Sequence, residues 1–533
     1  MESECIPFRK TGYFPELICD YLEEKDSLRP FYHRYATLEE FGVQISEKKA
    51  KFSQKNRQIL HDVLVSQYRD TTFSKKVNEH IAAVNDPNTF TVVTGHQLNL
   101  FTGPLYFLYK IVSTINLTLE LKKAYPDYQF VPVYWMATED HDFEEINFFN
   151  FKGKKLQWNK ESGGAVGMLD TEGLDAVYDL FSQEVGNGKN AEKLKELFHR
   201  AYIEHRTLTA ATRYLANALF GEYGLVIIDG DDTALKRLLI PYAKRDLLEN
   251  ITSARVGATV EKLSALPEQY GIQVSPREIN YFYLTAGGRE RIVQNEGQYR
   301  VINTNKVFKR EEILEELENH PERFSPNVIA RPLYQEVILP NLCYIGGGGE
   351  LAYWLELKSS FDAMKVPFPI LLLRNSAMVI TEKQHKKLEK LNIKTADLFL
   401  KQSSLINKKI REISNIDIDF SPQKEYLRQQ FEALYDLAEK TDKSFLGAVK
   451  AQEARQKKGL EHLEKRLLKA QKRKLKDQVV RLTAIQNELF PNQSLQERHL
   501  NFSELYLEIG PQLIPVLLDA LIPLQAEFLV LRY

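Results

Sequence analysis

Residues 89–106, TFTVVTGHQLNLFTGPLY, and residues 130–147, FVPVYWMATEDHDFEEIN, decide the fold. The first stretch opens as a short β-rich run, TFTVV, turns through TGHQLNLFTG and reaches Pro104, which heads the apolar helical run PLYFLYKIVSTINLTLELKKA. Proline suits a helix start, because the N–H it lacks would have no partner there. The second stretch is a strand, FVPVYWM, that runs straight into ATEDHDFEEI. Strand, helix, strand is the order of a parallel sheet with right-handed crossovers, so the expected fold class is α/β with a Rossmann-type parallel sheet core. GLVIID at 224–229 and PILLLR at 369–374 are continuous apolar runs ending in a polar residue, as strands buried on both faces do.

Working outward, residues 1–88 read as an N-terminal helical segment packed on the core, with Ile59, Leu60, Val63 and Leu64 at helical spacing. Residues 89–381 form the expected Rossmann-like catalytic core. Insertions interrupt it near 150–220 and 250–325, where alternation weakens and glycines at 163–167, 287 and 288 suggest hairpins. Residues 382–495 read as an α-helical coiled-coil arm, and 496–533 as a C-terminal segment returning to the core. Between Pro422 and Pro491 there is no proline, and Leu460, Leu463, Leu467, Ala470, Val479 and Leu482 recur at three-and-four spacing. That pattern predicts one long helix with a coiled-coil-like seam, folding back on the helical segment 382–415.

A chain of 533 residues with 43% hydrophobic side chains has material for several folding units. Lys and Arg total 71 against 72 Asp and Glu, so no global field draws it to nucleic acid or anionic lipid. Between Arg455 and Arg481 eleven basic residues face three acidic ones, which reads as a solvated helix face beside a dimer seam rather than a nucleic-acid site. Cys5, Cys19 and Cys343 form no C-x-x-C pair, which suits a reducing cytosol. The N-terminus lacks a secretory pattern, and the apolar stretch 511–531 is broken by Pro515, Asp519 and Pro523. A cytoplasmic protein with no membrane partner is expected.

Ligands of such sheets bind beyond the carboxyl ends of the strands, so polar residues just after a strand are the candidates. After the first strand, Gly95 and Gly103 let backbone approach a ligand, and His96, Gln97, Asn99 and Thr102 supply hydrogen-bonding groups. After the second come Glu139, Asp140, His141 and Asp142, then Glu144 and Glu145, a set suited to general-base work or to a cationic group. Asp140, His141, Asp142 and His96 are the candidate catalytic residues. His141 and Glu145 share a helical face, but no zinc signature surrounds them and no metal site is expected. Arg331 beside Pro332 offers a fork for a carboxylate or phosphate, with Asn327 just ahead of it. Gly346–Gly349, with Gly347 and Gly348 at the centre, read as a flexible loop before a helix starting near Glu350 and as an anion nest. Asp229 after GLVIID, and Arg374 and Ser376 after PILLLR, are placed to reach the same crevice. The chain has no G-x-x-x-x-G-K-[ST] loop, no G-x-G-x-x-G after the first strand and no G-x-S-x-G elbow, which lowers P-loop ATPases, dinucleotide enzymes and serine hydrolases as readings.

Taken together, TGHQLNLFTGPLY (94–106), VPVYWMATEDHDFEEIN (131–147), NVIARPLYQEVILPNLCYIGGGGELAYW (327–354) and the long helical arm resemble the BshC-type cysteine ligases of bacillithiol biosynthesis. The resemblance spans nearly the whole chain. It implies a Rossmann-type core related to class I nucleotidyltransferases, two connecting insertions and a coiled-coil domain that joins a homodimer. The implied reaction is the last pathway step, joining cysteine through an amide to the glucosamine nitrogen of glucosaminyl-malate. The malate carboxylates suit Arg331 or Arg374, and deprotonating the cationic amine suits Asp140, His141 or Asp142. Amide formation needs an activated carboxyl, so either ATP activates cysteine in the crevice or an activated cysteine arrives from elsewhere; no recognisable ATP loop chooses between them. Two other readings stand beside this one: a synthetase-like nucleotidyltransferase acting on another amino acid or on RNA, and a non-catalytic dimeric binding protein.

Overall fold

The computed structural model describes residues 2–69, 71–285, 287–441 and 443–533. At its centre five strands lie parallel: β1 (Thr89–His96), β2 (Gln129–Met136), β3 (Val226–Asp229), β4 (Asn341–Gly346) and β5 (Ile370–Leu373). Their order is β5-β4-β1-β2-β3. The apolar runs are continuous because both faces are covered. Ile370 and Leu372 pack with Phe41 and Ile45 of the N-terminal helix Leu38–Lys51, while Leu371 and Leu373 join the larger core opposite. Pairing brings His96 opposite Met136, Met136 opposite Asp229, and Gly346 opposite Leu373, so the carboxyl ends form one rim. The chain adds strands first on one side of β1 and later on the other, which opens a crevice between β1 and β4 at that reversal.

Three helices shape the crevice: α1 (Tyr106–Ala124) between β1 and β2, α2 (Arg331–Ile338) leading into β4, and α3 (Gly348–Leu355) leaving it. Ahead of α1, Phe101, Thr102 and Gly103 all have positive φ. A Cβ at Gly103 would lie 2.6 Å from the Asn99 Cβ, so a side chain is excluded there twice over, by space and by conformation. Asn501 donates from Nδ2 to the Phe101 and Gly103 carbonyls, each at 2.7 Å, pinning this turn from the C-terminal segment.

Several expectations are corrected. The N-terminal segment is not wholly helical: Glu2–Pro7 is a strand, antiparallel to Glu527–Arg532, which runs parallel to Ala377–Ile380. Its partner lies at the opposite end of the chain, beyond any local pattern. In the first insertion the hairpin is Phe148–Phe151 with Lys154–Gln157, turning at Lys152 and Gly153, whereas 166–168 form a short 3-10 turn. The second insertion builds a five-stranded antiparallel sheet in which Thr285 pairs with Gly288. The stretch expected as one long helix contains, among the described residues, three: α4 (Ser421–Glu439), α5 (Lys443–Lys474) and α6 (Lys476–Leu489), with residue 442 outside the described residues. The absence of proline did not keep the helix continuous: the Thr441 hydroxyl and N–H both bond back to the Ala438 carbonyl, and Leu475 leaves helical geometry. α5 folds back on α4 around Leu427, Phe431, Ala438 and Val449, with Tyr435 bonded to Glu453 and Lys424 to Glu464, and it also meets the expected segment 382–415, where Arg411 donates to Glu464 at 2.7 Å. Among the described residues no helix is long and apolar enough to cross a membrane.

Candidate active site

The crevice between β1 and β4 holds a cavity of about 660 Å³. Gly95, His96 and Gln97 enter it from the end of β1, Trp135 and Ala137 from β2, Tyr106 and Lys110 from α1, and Gly347–Glu350 from the start of α3. Arg331, Arg374 and Arg498 complete the wall. Lys110, buried on α1, lies 2.6 Å from Glu350 Oε2 and donates to the Gly95 carbonyl at 2.7 Å. Glu350 also accepts from the Tyr344 hydroxyl at 2.7 Å and the Gly347 N–H at 2.8 Å. Burial opposes its charge, yet the Lys110 ammonium and these donors hold its carboxyl below the ordinary carboxylate range.

The arginines are fixed in different ways. Arg331 lies over the rings of Trp135 and Tyr344, at 5.7 and 5.8 Å, and donates to Gln335 Oε1. Arg374 donates to Glu497 at 2.7 Å, to Ser376 Oγ and to the Asn375 carbonyl, while its Nε has no partner among the described residues. Arg498 is exposed at the rim. His96 is buried; desolvation, aided by nearby Lys110, pushes its pKa down to about 3. The cavity thus presents four cations against Glu350 and the more exposed Glu145, which suits an anionic ligand.

A second cavity of about 640 Å³ shares Trp135, Ala137 and Arg331 with the first and extends under the second insertion. Thr138–His141, Phe282, Arg289 and Pro326–Ile329 line it. Gln97 joins the two chambers, donating from Nε2 to Asp140 Oδ2 at 2.8 Å and to Glu145 Oε2 at 2.9 Å. The His141 N–H donates to Asp140 Oδ1. Arg289 Nη1 lies 3.1 Å from His141 Nδ1, so the ring accepts there and carries its proton on Nε2. Glu139 and Asp231 flank Lys236 at 2.7 and 2.6 Å; burial raises the Glu139 carboxyl pKa against the pull of that ammonium.

Of the residues singled out from sequence, Gly95, His96, Gln97, Arg331, Gly347, Gly348 and Arg374 line the first cavity, and Asp140, His141, Asn327 and Arg331 the second. Six sit outside both walls. Asn99 donates to the Glu145 carbonyl, and Thr102 and Gly103 belong to the positive-φ turn. Asp229 accepts from Thr138 Oγ1 and the Asp231 N–H, Ser376 is buried between Arg374 and Glu497, and Asp142 is exposed ahead of the single turn Phe143–Ile146. The glycine run is not a flexible loop: Gly346 ends β4 and Gly348 begins α3. Lys110, Tyr106, Arg289 and Arg498 were not singled out. A lone lysine within LYFLYKIVSTI was a usable signal; Arg289 and Arg498 sit in polar surroundings that set them apart from no other arginine. Among the described residues no group of three His, Cys, Asp or Glu gathers as a metal site.

The family model "Bacillithiol biosynthesis BshC, N-terminal Rossmann-like domain" matches residues 1–375, and "Bacillithiol biosynthesis BshC, C-terminal coiled-coil domain" matches residues 377–533. The chain belongs to the BshC family. Relatives named "Putative cysteine ligase BshC" include one from Christiangramia forsetii, 59% identical over 100% of this chain and 99% of its own length. Those from Flavobacterium johnsoniae, 58% identical over 99% of each chain, and Flavobacterium psychrophilum, 56% identical over 100% of each, carry the same name. The parallel sheet with its helical arm is therefore the BshC architecture, and the crevice at its strand reversal is the candidate BshC site.

The buried imidazole makes stability depend on pH. Its folded-state pKa of about 3 lies below the ordinary 6.5, so between those values the unfolded chain binds a proton that the folded chain does not. This contribution is complete above pH 6.5 and is lost as pH falls, by about 2–3 kcal/mol at pH 4.5. In urea unfolding at pH 7.5 and 4.5, His96→Gln is expected to lose correspondingly less stability than the parent; equal losses would contradict the assignment.

Proposed function

We propose that this chain joins cysteine through an amide to the glucosamine nitrogen of glucosaminyl-malate, the last step of bacillithiol biosynthesis, in the cytoplasm. The names of its BshC relatives support the ligase reading. The observation that carries the substrate reading is the cation-lined cavity, where Lys110, Arg331, Arg374 and Arg498 converge. A malate unit brings two carboxylates, and guanidinium groups match them with paired, charge-assisted hydrogen bonds.

With malate against the arginines, the glucosamine nitrogen points toward the partition formed by Trp135, Ala137 and Arg331, where Asp140 and Gln97 meet. The ammonium is a nucleophile only after losing a proton. Asp140 takes that role here: both its oxygens already accept hydrogen bonds, from Gln97 and the His141 N–H, but each retains a second lone pair. His141, whose Nδ1 accepts from Arg289, orients the loop rather than receiving the proton. The second chamber receives the activated cysteine. The amine, its first proton already on Asp140, attacks the carboxyl carbon; the C–N bond forms as the bond from that carbon to the activating phosphoryl or adenylyl oxygen breaks, and the departing phosphate or nucleotide carries off the nitrogen's second proton.

The purified protein with glucosaminyl-malate and cysteine, with and without ATP, followed by mass spectrometry, tests the reading. Product carrying one added cysteine is expected, dependence on ATP places activation in this protein, and Arg331→Ala is expected to lower the rate at least about 100-fold. Failure to form product from any cysteine donor, or full activity in Arg331→Ala, would contradict it.

We also propose a homodimer through the arm. Tyr426, Leu437 and Leu463 on α4 and α5 are 68, 52 and 53% exposed, an apolar stripe unusual on a free helical hairpin. Light scattering at micromolar concentration is expected to give the mass of two chains; a single-chain mass would refute the pairing.

A further inference from the structure

The first cavity is rich in donors and poor in free acceptors. Both oxygens of Glu350 are occupied by Tyr344, Gly347 and Lys110, and Glu145 receives Gln97. Among the described lining residues, two buried side-chain atoms lack partners: Nε2 of His96 and Nε of Arg374. They flank one ring. His96 packs edge-on to Tyr106 at 5.5 Å, and the Arg374 guanidinium carbon lies 5.1 Å over the same ring. A buried polar atom left unpaired destabilises the free protein, so its persistence in a cavity points to a ligand group that completes it.

The state of the imidazole follows from its surroundings. The backbone of Thr102, in the turn pinned by Asn501, acts on the ring as a hydrogen-bond acceptor, and with Nε2 unpartnered that acceptor faces Nδ1. Nδ1 therefore carries the proton and Nε2 presents a lone pair. Burial, with Lys110 nearby, keeps the ring neutral at working pH, so the lone pair is always available. A ligand ammonium is a poor donor here, since Lys110, Arg331, Arg374 and Arg498 line the same space and repel it. A neutral hydroxyl is the donor that fits.

We propose that His96 is a specificity-determining residue that accepts a hydrogen bond from a sugar hydroxyl of the substrate, beside the carboxylate received by Arg374 Nε. This rests on the reading that the cavity takes a carboxylate-bearing sugar, and it adds how the sugar is told from other anions. Arg374 supplies the charge match, which any dicarboxylate satisfies. His96 supplies the neutral acceptor, which rejects a ligand lacking the hydroxyl because the buried lone pair then stays unpaired.

Calorimetric titration of the full-length protein tests this with two ligands, glucosaminyl-malate and its analogue that keeps the ring amine but lacks the ring hydroxyls, on the parent, His96→Gln and His96→Leu. The parent is expected to prefer the hydroxylated ligand by about 10–100-fold. His96→Gln, which retains an acceptor, should keep most of that preference, and His96→Leu should lose at least tenfold of it. The parent's preference should also be unchanged between pH 5.5 and 8. If the parent binds both ligands equally, or if His96→Leu folds and discriminates as the parent does, the role of His96 is overturned while the ligase reading stands. Should His96→Leu fail to fold, the parent and His96→Gln still decide: loss of the preference in His96→Gln also overturns it. Absence of any glucosaminyl-malate binding by the parent overturns the ligase reading and this inference together.

Discussion

Gathering four cations at one rim of a parallel sheet is unfavourable unless counter-charges come with them, and two glutamates from distant segments meet that constraint. Glu350, at the start of α3, holds Lys110 of α1 at 2.6 Å; Glu497, in the C-terminal segment, holds Arg374 beyond β5 at 2.7 Å. Both pairs are largely withdrawn from water, where removing one partner leaves an uncompensated charge and costs about 3–5 kcal/mol. Neither pair adds much stability over an apolar substitute. What they supply is position: they fix the ammonium and one guanidinium before any ligand arrives, so that binding energy is not spent on ordering side chains. The C-terminal segment serves the site twice, since Asn501 also pins the turn Phe101–Gly103 that follows His96 and leads into α1.

The topology explains why these groups meet. β1 lies where the chain reverses its direction of strand addition, so the loops after β1 and β4 diverge and leave the crevice open. The wall formed by Trp135, Ala137 and Arg331 separates the cation-lined chamber from one edged by Asp140, His141 and Arg289. The proposed joining reaction needs two reactants brought together at one partition, and adjoining chambers that share a wall are suited to it.

Much of the core was legible because both-sided burial writes itself into sequence as unbroken apolar runs. TFTVV, FVPVYWM, VIID and ILLL all lie within strands of the central sheet. What escaped was non-local. The strand Glu2–Pro7 exists because Glu527–Arg532 pairs with it, and nothing near residue 2 records that partner. The end of α4 at Lys440 and Thr441 carries neither proline nor glycine and is marked by the Thr441 bonds to Ala438. Asp229 and Ser376 end predicted strands as polar residues should, but their side chains turn inward to Thr138 and to the Arg374–Glu497 pair. Position after a strand thus identified the rim, and only packing decided which side chains line the cavities.

The account stands on the cation-lined chamber between β1 and β4 being where malate binds. A crystal structure of the protein with glucosaminyl-malate measures this directly. It is predicted to place the malate carboxylates within hydrogen-bond distance of Arg331 and Arg374, with the sugar nitrogen facing Asp140. Density for the malate unit in any other cavity, with Arg331 and Arg374 left uncontacted, would contradict it.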